Sequence, residues 1–391
     1  MPLALWALTI SAFAVGTTEF VIVGLIPTIA ADLGVSLPSA GLLVSLYALG
    51  VTIGAPVLTA LAGRMPRKRL LLSLLVLFIA GNAFAAFAPS YEALIAARFA
   101  TGLAHGVFFA IASTIATDLV DRERESSAIA LVFLGLTVAL VTGVPLGTWI
   151  GQAFGWQSTF LGVVALGILG LIASAVLVPS NLRQASAPGL RAQARVLTSG
   201  RLLLVYAITA VGYGGNFVAF TYLAPMLNEV TGLGAGAVSI VILVYGASVA
   251  AGNIIGGKLA DRMGPVPALT VIFGGLAVML AALGVALPSP VAAIAVVALW
   301  GGFAFANVPP LQSYVVQIAR EVSPDAVDVA SGLNIGAFNL GIALGAWIGG
   351  MVVQGMGLTA APFIGAAIVA GGIVLVRLSG RADRQVGAVT A

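Results

Sequence analysis

The chain is 391 residues long, 60% of them hydrophobic and 8% charged, with a formal net charge of +4. Soluble domains carry about 25% charged residues, and so little charge could not cover a surface facing water. The absence of cysteine excludes a disulfide framework, a thiolate zinc site and a thiol nucleophile, and no metal site is expected.

The remaining solvent is a lipid bilayer. Apolar stretches near the roughly 20 residues needed to cross it recur along the whole chain. Charges and Pro/Gly turns divide them into twelve spans at about 5–30, 38–61, 69–88, 92–117, 127–152, 157–178, 202–226, 236–257, 266–287, 290–316, 329–353 and 360–377. They must be helices, because an open strand or loop in hydrocarbon leaves backbone groups unpaired. The first span lacks a basic leader and a small-residue cleavage site and runs past Pro27, so it is expected to be retained rather than removed as a signal peptide.

Every Lys and Arg except Arg98 falls on one side of this arrangement: Arg64 to Arg69, Arg122 and Arg124, Arg183 to Arg201, Lys258 and Arg262, Arg320, and Arg377 to Arg384. The opposite loops carry only acids, such as Asp32, Glu92 and Glu229. Basic loops stay cytoplasmic, so both termini are expected there. An even number of spans is required for the pattern to hold. The basic balance therefore reports membrane topology, and no nucleic-acid partner is expected. Residues 179–201 form the longest polar stretch and read as a cytoplasmic linker between a first half, 1–178, and a second, 202–391.

The halves repeat at a constant offset of 198 residues: Pro27 falls on Pro225, Gly34 on Gly232, Tyr47 on Tyr245 and Gly54 on Gly252. Leu61-Ala62 falls on Leu259-Ala260, Arg64-Met65 on Arg262-Met263, and Leu146 to Gly151 on Leu344 to Gly349. Six spans per copy give both halves the same orientation, a parallel repeat. Transporters built this way hold substrate near the midplane between halves and rock one against the other. The expected fold is thus an all-α membrane protein of twelve transmembrane helices in two pseudo-symmetric six-helix bundles. Span five carries Gly135, Ala139, Gly143, Gly147 and Gly151 every fourth residue, and span eleven repeats the stripe with Ala337, Gly341, Gly345 and Gly349. Small residues let backbones approach closely, and the stripes are expected where the halves move. Pro145 is expected to bend span five.

Three ionisable residues lie within spans: Glu19, Arg98 and His105. Ionisable groups at bilayer depth mark functional sites by default. Depth pairs Glu19 with His105, or Arg98 with Glu19 or Asp32. A carboxyl so placed suits proton coupling; a buried ion pair fixing helix register is the plainer alternative. At the repeat offset Glu19 becomes Phe217 and His105 becomes Phe303, so the charges belong to the first half alone. The second half offers Tyr213, Asn216, Asn307, Gln312, Asn334, Phe338 and Asn339, which with Phe20 and Phe109 of the first are the candidates to bind an amphipathic substrate. Each amide or ring could equally be glue between helices.

Several motifs resemble the major facilitator superfamily. Gly257-Lys258-Leu259-Ala260-Asp261-Arg262-Met263-Gly264 looks like its signature loop; the first-half copy, Thr59 to Lys68, has Gly63 where the family acid belongs. Arg98-Phe99-Ala100-Thr101-Gly102 resembles the span-four motif of proton-linked members, and Thr142-Gly143-Val144-Pro145-Leu146-Gly147 the span-five motif of antiporters. Gly16 to Gly24, Gly102 to Phe108 and Asn334 to Asn339 are similar to the sugar-efflux branch of the twelve-span drug:proton antiporters. The resemblance implies a monomeric bacterial inner-membrane exporter of a small amphipathic or sugar-like molecule. It would exchange cargo for protons, with no cofactor beyond the proton gradient. Asp261, Lys258, Arg262 and Arg64, with Gly143, Pro145, Gly147 and Gly345, are the candidate conformational gate. The rivals are a proton symporter that imports a nutrient and, from another class, an intramembrane enzyme or lipid scramblase. An enzyme is disfavoured by the lack of clustered nucleophiles, bases or metal ligands, and no Walker-type loop for ATP is present.

Overall fold

A computed structural model describes residues 2–62, 65–121, 124–180, 182 and 190–390. The gate candidate Arg64 and the basic residues Arg122 and Arg183 lie outside the described residues. All elements among the described residues are helical, as the bilayer demands of backbone that cannot bond to water. The first six spans are α1 (Leu3–Leu33), α2 (Leu37–Ala62), α3 (Arg67–Ala86), α4 (Tyr91–Asp118), α5 (Glu125–Val138) continued by α6 (Val144–Phe154), and α7 (Trp156–Leu177). A short α8 (Leu190–Thr198) precedes span seven, α9 (Gly200–Phe220) with α10 (Leu223–Pro225). Spans eight to twelve are α11 (Ala235–Met263), α12 (Pro265–Ala286), α13 (Pro290–Ala304) with α14 (Val308–Val322), α15 (Val327–Met356) and α16 (Ala361–Thr390). Twelve candidate spans are long and apolar enough to cross a membrane.

The stretch expected as a linker, 179–201, is not wholly irregular. It contains α8, whose Val196 is fully buried while Arg195 stays exposed. The backbone resolves into two units, one of Met1–Ser186 with Gly234–Leu243, the other of Ala187–Leu233 with Val244–Ala391. The start of α11 thus groups with the first unit, where the Ser239 hydroxyl donates to Gln152 Oε1 at 3.0 Å.

Three spans are interrupted, and proline accounts for each position. Val144 bonds back to the Ala139 carbonyl, and a π-turn, Ala139–Gly143, separates α5 from α6 just before Pro145. Proline removes a donor and its ring clashes with the carbonyl four residues earlier; an extra residue in the turn relieves both. Span seven breaks at Thr221-Tyr222, where Pro225 would clash with the carbonyl four residues earlier, and a π-turn at Met226–Val230 follows. Span ten breaks at Phe305–Asn307 because α14 opens with Pro309-Pro310, whereas the matching Ile111-Ala112 of span four leaves α4 continuous. Loop closure follows the repeat too. Gly34 ends α1 at φ 62° and Gly232 closes span seven at φ 76°, left-handed conformations that suit glycine.

Each small-residue stripe has a definite partner. Each packs inside its own unit. A Cβ on Gly135 would stand 2.2 Å from the Thr9 carbonyl oxygen, on Gly143 2.3 Å from Thr17 Oγ1, and on Gly147 2.7 Å from Val21, all on α1. In the second unit, Gly341, Gly345 and Gly349 meet the carbonyls of Ala210, Gly214 and Val218 of α9 at 2.6, 2.1 and 2.5 Å on the same measure. The stripes therefore fix spans one to five and seven to eleven. A matching pair joins α2 to α4 and α11 to span ten. There, Cβ atoms on Gly54, Gly102, Gly252 and Gly256 would stand 2.4, 2.2, 2.0 and 1.9 Å from the carbonyls of Leu103, Tyr47, Gly302 and Ala306. Gly170, outside both stripes, is no open site either, since its Cβ would meet Ser11 Oγ at 2.6 Å.

These contacts predict that Gly345→Ala lowers the melting temperature in detergent, by the ~1–3 kcal/mol typical of overpacking. Gly336→Ala, whose added Cβ would meet no atom of a neighbouring element within 4 Å, should leave melting unchanged. Equal melting of the two variants would show that the α9–α15 contact yields without cost.

Candidate functional site

The three intramembrane ionisable residues belong to the first unit. Glu19 lies near the middle of the 31-residue α1; Arg98 and His105 lie on one face of α4, two turns apart. All are buried, with exposures of 7%, 1% and 5%. The backbone contact at Gly102 lets α2 lie directly on α4, and that contact delivers Tyr47, itself 1% exposed, into the group.

The Arg98 guanidinium sits 4.0 Å from the centroid of the Tyr47 ring, over its face. Its Nη1 donates to the Thr18 carbonyl at 2.8 Å and to Thr18 Oγ1 at 3.3 Å; Nη2 reaches the Glu19 carbonyl at 3.5 Å. Its buried Nε has no hydrogen-bond partner. The Thr18 hydroxyl donates to Asn82 Oδ1 at 2.6 Å, and Asn82 Nδ2 is anchored on the Phe78 carbonyl at 2.8 Å. Beyond the cation, the Tyr47 hydroxyl is 3.0 Å from His105 Nδ1, and the His105 ring packs against Phe109 with centroids 5.2 Å apart.

None of the expected ionic pairings forms. The ion pairs among the described residues are Arg67–Asp118 and, at 2.7 Å, Arg201–Glu321. His105 partners Tyr47 instead of Glu19, because α2 intervenes along the face of α4. Asp32 lies at the far end of α1, fourteen residues beyond Thr18 and out of reach of Arg98, where it accepts from Trp156 Nε1 at 2.7 Å and Gln157 Nε2 at 3.3 Å. Among the described residues, no hydrogen bond or ion pair reaches the Glu19 carboxyl. A full cation is thus held by two carbonyls, a hydroxyl and a π face, beside an acid it does not grip.

In the second unit the candidate amides are mostly engaged. Thr209 Oγ1 donates to Asn334 Oδ1 at 2.7 Å, Asn334 Nδ2 to Gln312 Oε1 at 2.9 Å, and Gln312 Nε2 to Ser331. Asn216 accepts from Trp300 Nε1 at 2.8 Å. Asn307 Nδ2 holds the Ala304 carbonyl at the break of span ten, and Asn339 Nδ2 the Ile335 carbonyl, leaving both Oδ1 atoms buried without a partner. Tyr213 gathers Phe217, Phe305 and Phe338 at centroid distances of 5.2, 5.3 and 4.9 Å. Phe20 is buried in the first unit.

The proposed gate differs from the sequence expectation. Lys258, Asp261 and Arg262 are not in a loop. They sit exposed on the last turns of α11, with the turn itself at Gly264, φ 81°. Among the described residues Asp261 makes no ion pair. An apolar groove of about 830 Å³, lined by Trp6, Phe13, Leu134, Val138, Leu169 and Val176 among others, contains none of the candidate binding residues.

Sequence reasoning missed Tyr47, Thr18 and Asn82 as members of the site. Tyr47 stood out only as a repeat match to Tyr245. Its signal was the glycine spacing of Gly50 and Gly54 against Gly102, which fixes how closely α2 approaches α4.

Twelve spans with one buried acid, one buried cation and no metal-binding cluster among the described residues define a polytopic transport protein. Comparison makes the class specific. The family model described as Major Facilitator Superfamily matches residues 8–323, and the chain belongs to that superfamily, a family of transporters and not of enzymes. It is 51% identical over 385 residues to the uncharacterized MFS-type transporter YtbD of Bacillus subtilis (strain 168), covering 98% of this chain and 97% of that one. It is 38% identical over 383 residues to the inner membrane transport protein YdhP of Escherichia coli (strain K12), covering 96% of each chain. A probable sugar efflux transporter of Mannheimia succiniciproducens is 33% identical over 370 residues, covering 93% and 90%, and supports membership of the sugar-efflux-like branch. Among solved structures, the nucleoside transporter NupG superposes with a TM-score of 0.75 at 16% identity, covering 97% of this chain and 98% of that one, which supports the fold.

The Thr18–Asn82 bond predicts that Asn82→Ala strands the Thr18 hydroxyl beside the guanidinium, at a cost of ~1–3 kcal/mol. A fall in melting temperature is expected, larger than for Thr114→Ala, whose exposed hydroxyl bonds only within its own helix. The reverse order would show that Asn82 is not supporting the cation's cradle.

Proposed function

We propose that the protein is a proton-coupled efflux transporter of the bacterial inner membrane. It exports a small amphipathic or sugar-like molecule by alternating access, as a monomer with both termini cytoplasmic. The observation that carries this reading is the Glu19 carboxyl: buried at mid-span, free of hydrogen bonds among the described residues, and beside an Arg98 cation occupied elsewhere. An intramembrane acid left unengaged is placed to take up and give back a proton. The segregation of basic residues supports the orientation, and the name of the sugar efflux relative supports the direction and cargo class.

In this reading Glu19 carries the proton, and Arg98 makes its deprotonated form tolerable at depth when the proton leaves. His105 acts through Tyr47 rather than on the carboxyl. Phe20, Phe109 and the Tyr213–Phe338 group offer apolar faces to the cargo, and Asn307 and Asn339 retain spare acceptors for its polar groups. The energy source is the proton gradient, with no bound cofactor. The π-turn beside Pro145 is the point at which span five flexes, and Asp261, with Lys258 and Arg262, is available to pair differently in another state.

The test uses purified protein in liposomes with an imposed pH gradient, and radiolabelled arabinose and neutral amphipathic dyes as probes. Cargo should move opposite to protons. Glu19→Gln should reduce gradient-driven flux to background while probe binding in detergent persists. Cargo moving with protons would make the protein a symporter, and full gradient-driven flux by the Gln variant would reduce Glu19 to packing.

A further inference from the structure

Resting on the reading of Glu19 as the proton site, we propose that Tyr47 is a positioning residue: its ring face is the alternative seat of the Arg98 guanidinium, which alternates between that face and the Glu19 carboxylate as the proton is lost and regained.

Three observations carry this. First, the cation is stacked on the ring at 4.0 Å, a geometry that stabilises a desolvated cation through the negative face of the π system. Second, every polar contact of the guanidinium is to a neutral group, and its Nε, fully buried, has none. A guanidinium has five donors in a fixed fork. The unused donor beside an acid is what a second seat on the carboxylate would engage. Third, the ring is itself fixed. The Tyr47 hydroxyl bonds His105 Nδ1 at 3.0 Å, and the Tyr47 backbone is pressed against Gly102. The seat is rigid and the cation is the movable part.

The titratable groups that face one another here are Glu19 from α1, Tyr47 from α2, and Arg98 and His105 from α4. The side chain contributed by α3 is the neutral Asn82. Either seat alone would lock the system. A cation permanently on the carboxylate would hold Glu19 ionised, whereas a cation with no second seat would be stranded whenever Glu19 was protonated. The π face neutralises no charge, so it competes with the carboxylate only weakly, and that lets the proton decide the outcome. In the repeat-related position Tyr245 stacks on Phe220 at 4.8 Å with planes 19° apart. The second unit keeps the tyrosine but has no cation there for it to seat.

The deciding measurement is NMR of protein labelled with ¹⁵N,¹³C-arginine in detergent, the Arg98 guanidinium signal being assigned by its loss in Arg98→Lys. A cation over a ring face is displaced upfield by the ring current. In the unaltered chain, that signal should move between a ring-shifted position at low pH and an unshifted one at high pH. In Glu19→Gln it should stay ring-shifted throughout. Tyr47→Leu should abolish the shifted position and displace the pH profile of gradient-driven transport by about one unit toward acid, a tenfold change in proton concentration. Tyr47→Phe keeps the face and the Gly102 contact but loses the His105 bond, so it should keep both signal positions, with a profile displaced less than that of the Leu variant. An Arg98 signal that does not change with pH, in protein whose transport still requires Glu19, would overturn the proposal. So would a Phe variant displaced as far as the Leu variant, which would assign the effect to the hydroxyl. The titration of the unaltered chain decides the matter even if Tyr47→Leu fails to fold. Loss of the Glu19 requirement itself would instead strike the proton-coupling reading.

Discussion

Contact between helix backbones across glycine is the constraint on which the rest of this molecule depends. Between helices in a bilayer there is little hydrophobic driving force, because lipid tails are as apolar as leucine. Association then rests on packing, and packing is tightest where no Cβ intervenes. The protein meets this requirement repeatedly, with α1 on span five, α9 on α15 and on α16, α2 on α4, and α11 on span ten. At each, the carbonyl of one helix lies where the other's Cβ would have to be. These contacts are the reason a twelve-span chain with so few polar side chains has a defined register. They also explain how chemistry on α4 meets chemistry on α2, since Gly102 removes the bulk that would otherwise hold Tyr47 away from Arg98.

The two halves share this scaffold and have diverged in what it carries. Thr18, Glu19, Arg98 and His105 become Asn216, Phe217, Val296 and Phe303 in the second half. Where the first unit has a hydroxyl supporting a cation, the second has an amide accepting from Trp300 at 2.8 Å. Where the first has an acid, the second has Phe217 packed against Tyr213 and Phe220. The second half has also given up continuity in span ten, where Pro309-Pro310 end one helix and start another. One unit is therefore specialised for charge within unbroken helices. The other is aromatic, with buried unpartnered acceptors at Asn307, where span ten breaks, and at Asn339 within α15. A duplicated fold can divide its labour in this way because glycine contacts, not the polar residues, hold each half together.

The architecture was legible because its signals are additive along the chain. Span count follows from hydropathy, orientation from the placement of Arg and Lys, and the repeat from identities in one register. Glu19, Arg98 and His105 were legible for the same reason, being conspicuous against an apolar background. What could not be read was which of them touch. Arg98 meets the Thr18 carbonyl, whereas Asp32 lies fourteen residues further along α1, about 21 Å at 1.5 Å per residue, and is held there by Trp156 and Gln157, distant in sequence. The partner of each glycine stripe was not legible, because a small-residue face states only that something comes close. A moving partner and a fixed one leave the same sequence pattern; the partners the structure shows are α1 and α9. Asp261 illustrates the complementary failure: the motif was visible, but its place on the last turns of a helix instead of in a loop depends on Gly264 closing α11 late.

A buried cation with no carboxylate in its grip is ordinarily an expensive feature, since desolvating an ion costs several kcal/mol even after relaxation. Here the cost is distributed. Two consecutive carbonyls of α1 face the guanidinium, Thr18 Oγ1 adds a third oxygen, Asn82 holds that hydroxyl in place, and the ring of Tyr47 covers the remaining face. Each contribution is small, and no single one commits the cation. A direct ion pair with Glu19 would be stronger and would satisfy more donors, but it would also fix the ionisation of the one acid at that depth. The looser cradle keeps Arg98 in the membrane without deciding the state of Glu19. That property separates a residue able to answer to a proton from one that merely sets helix register.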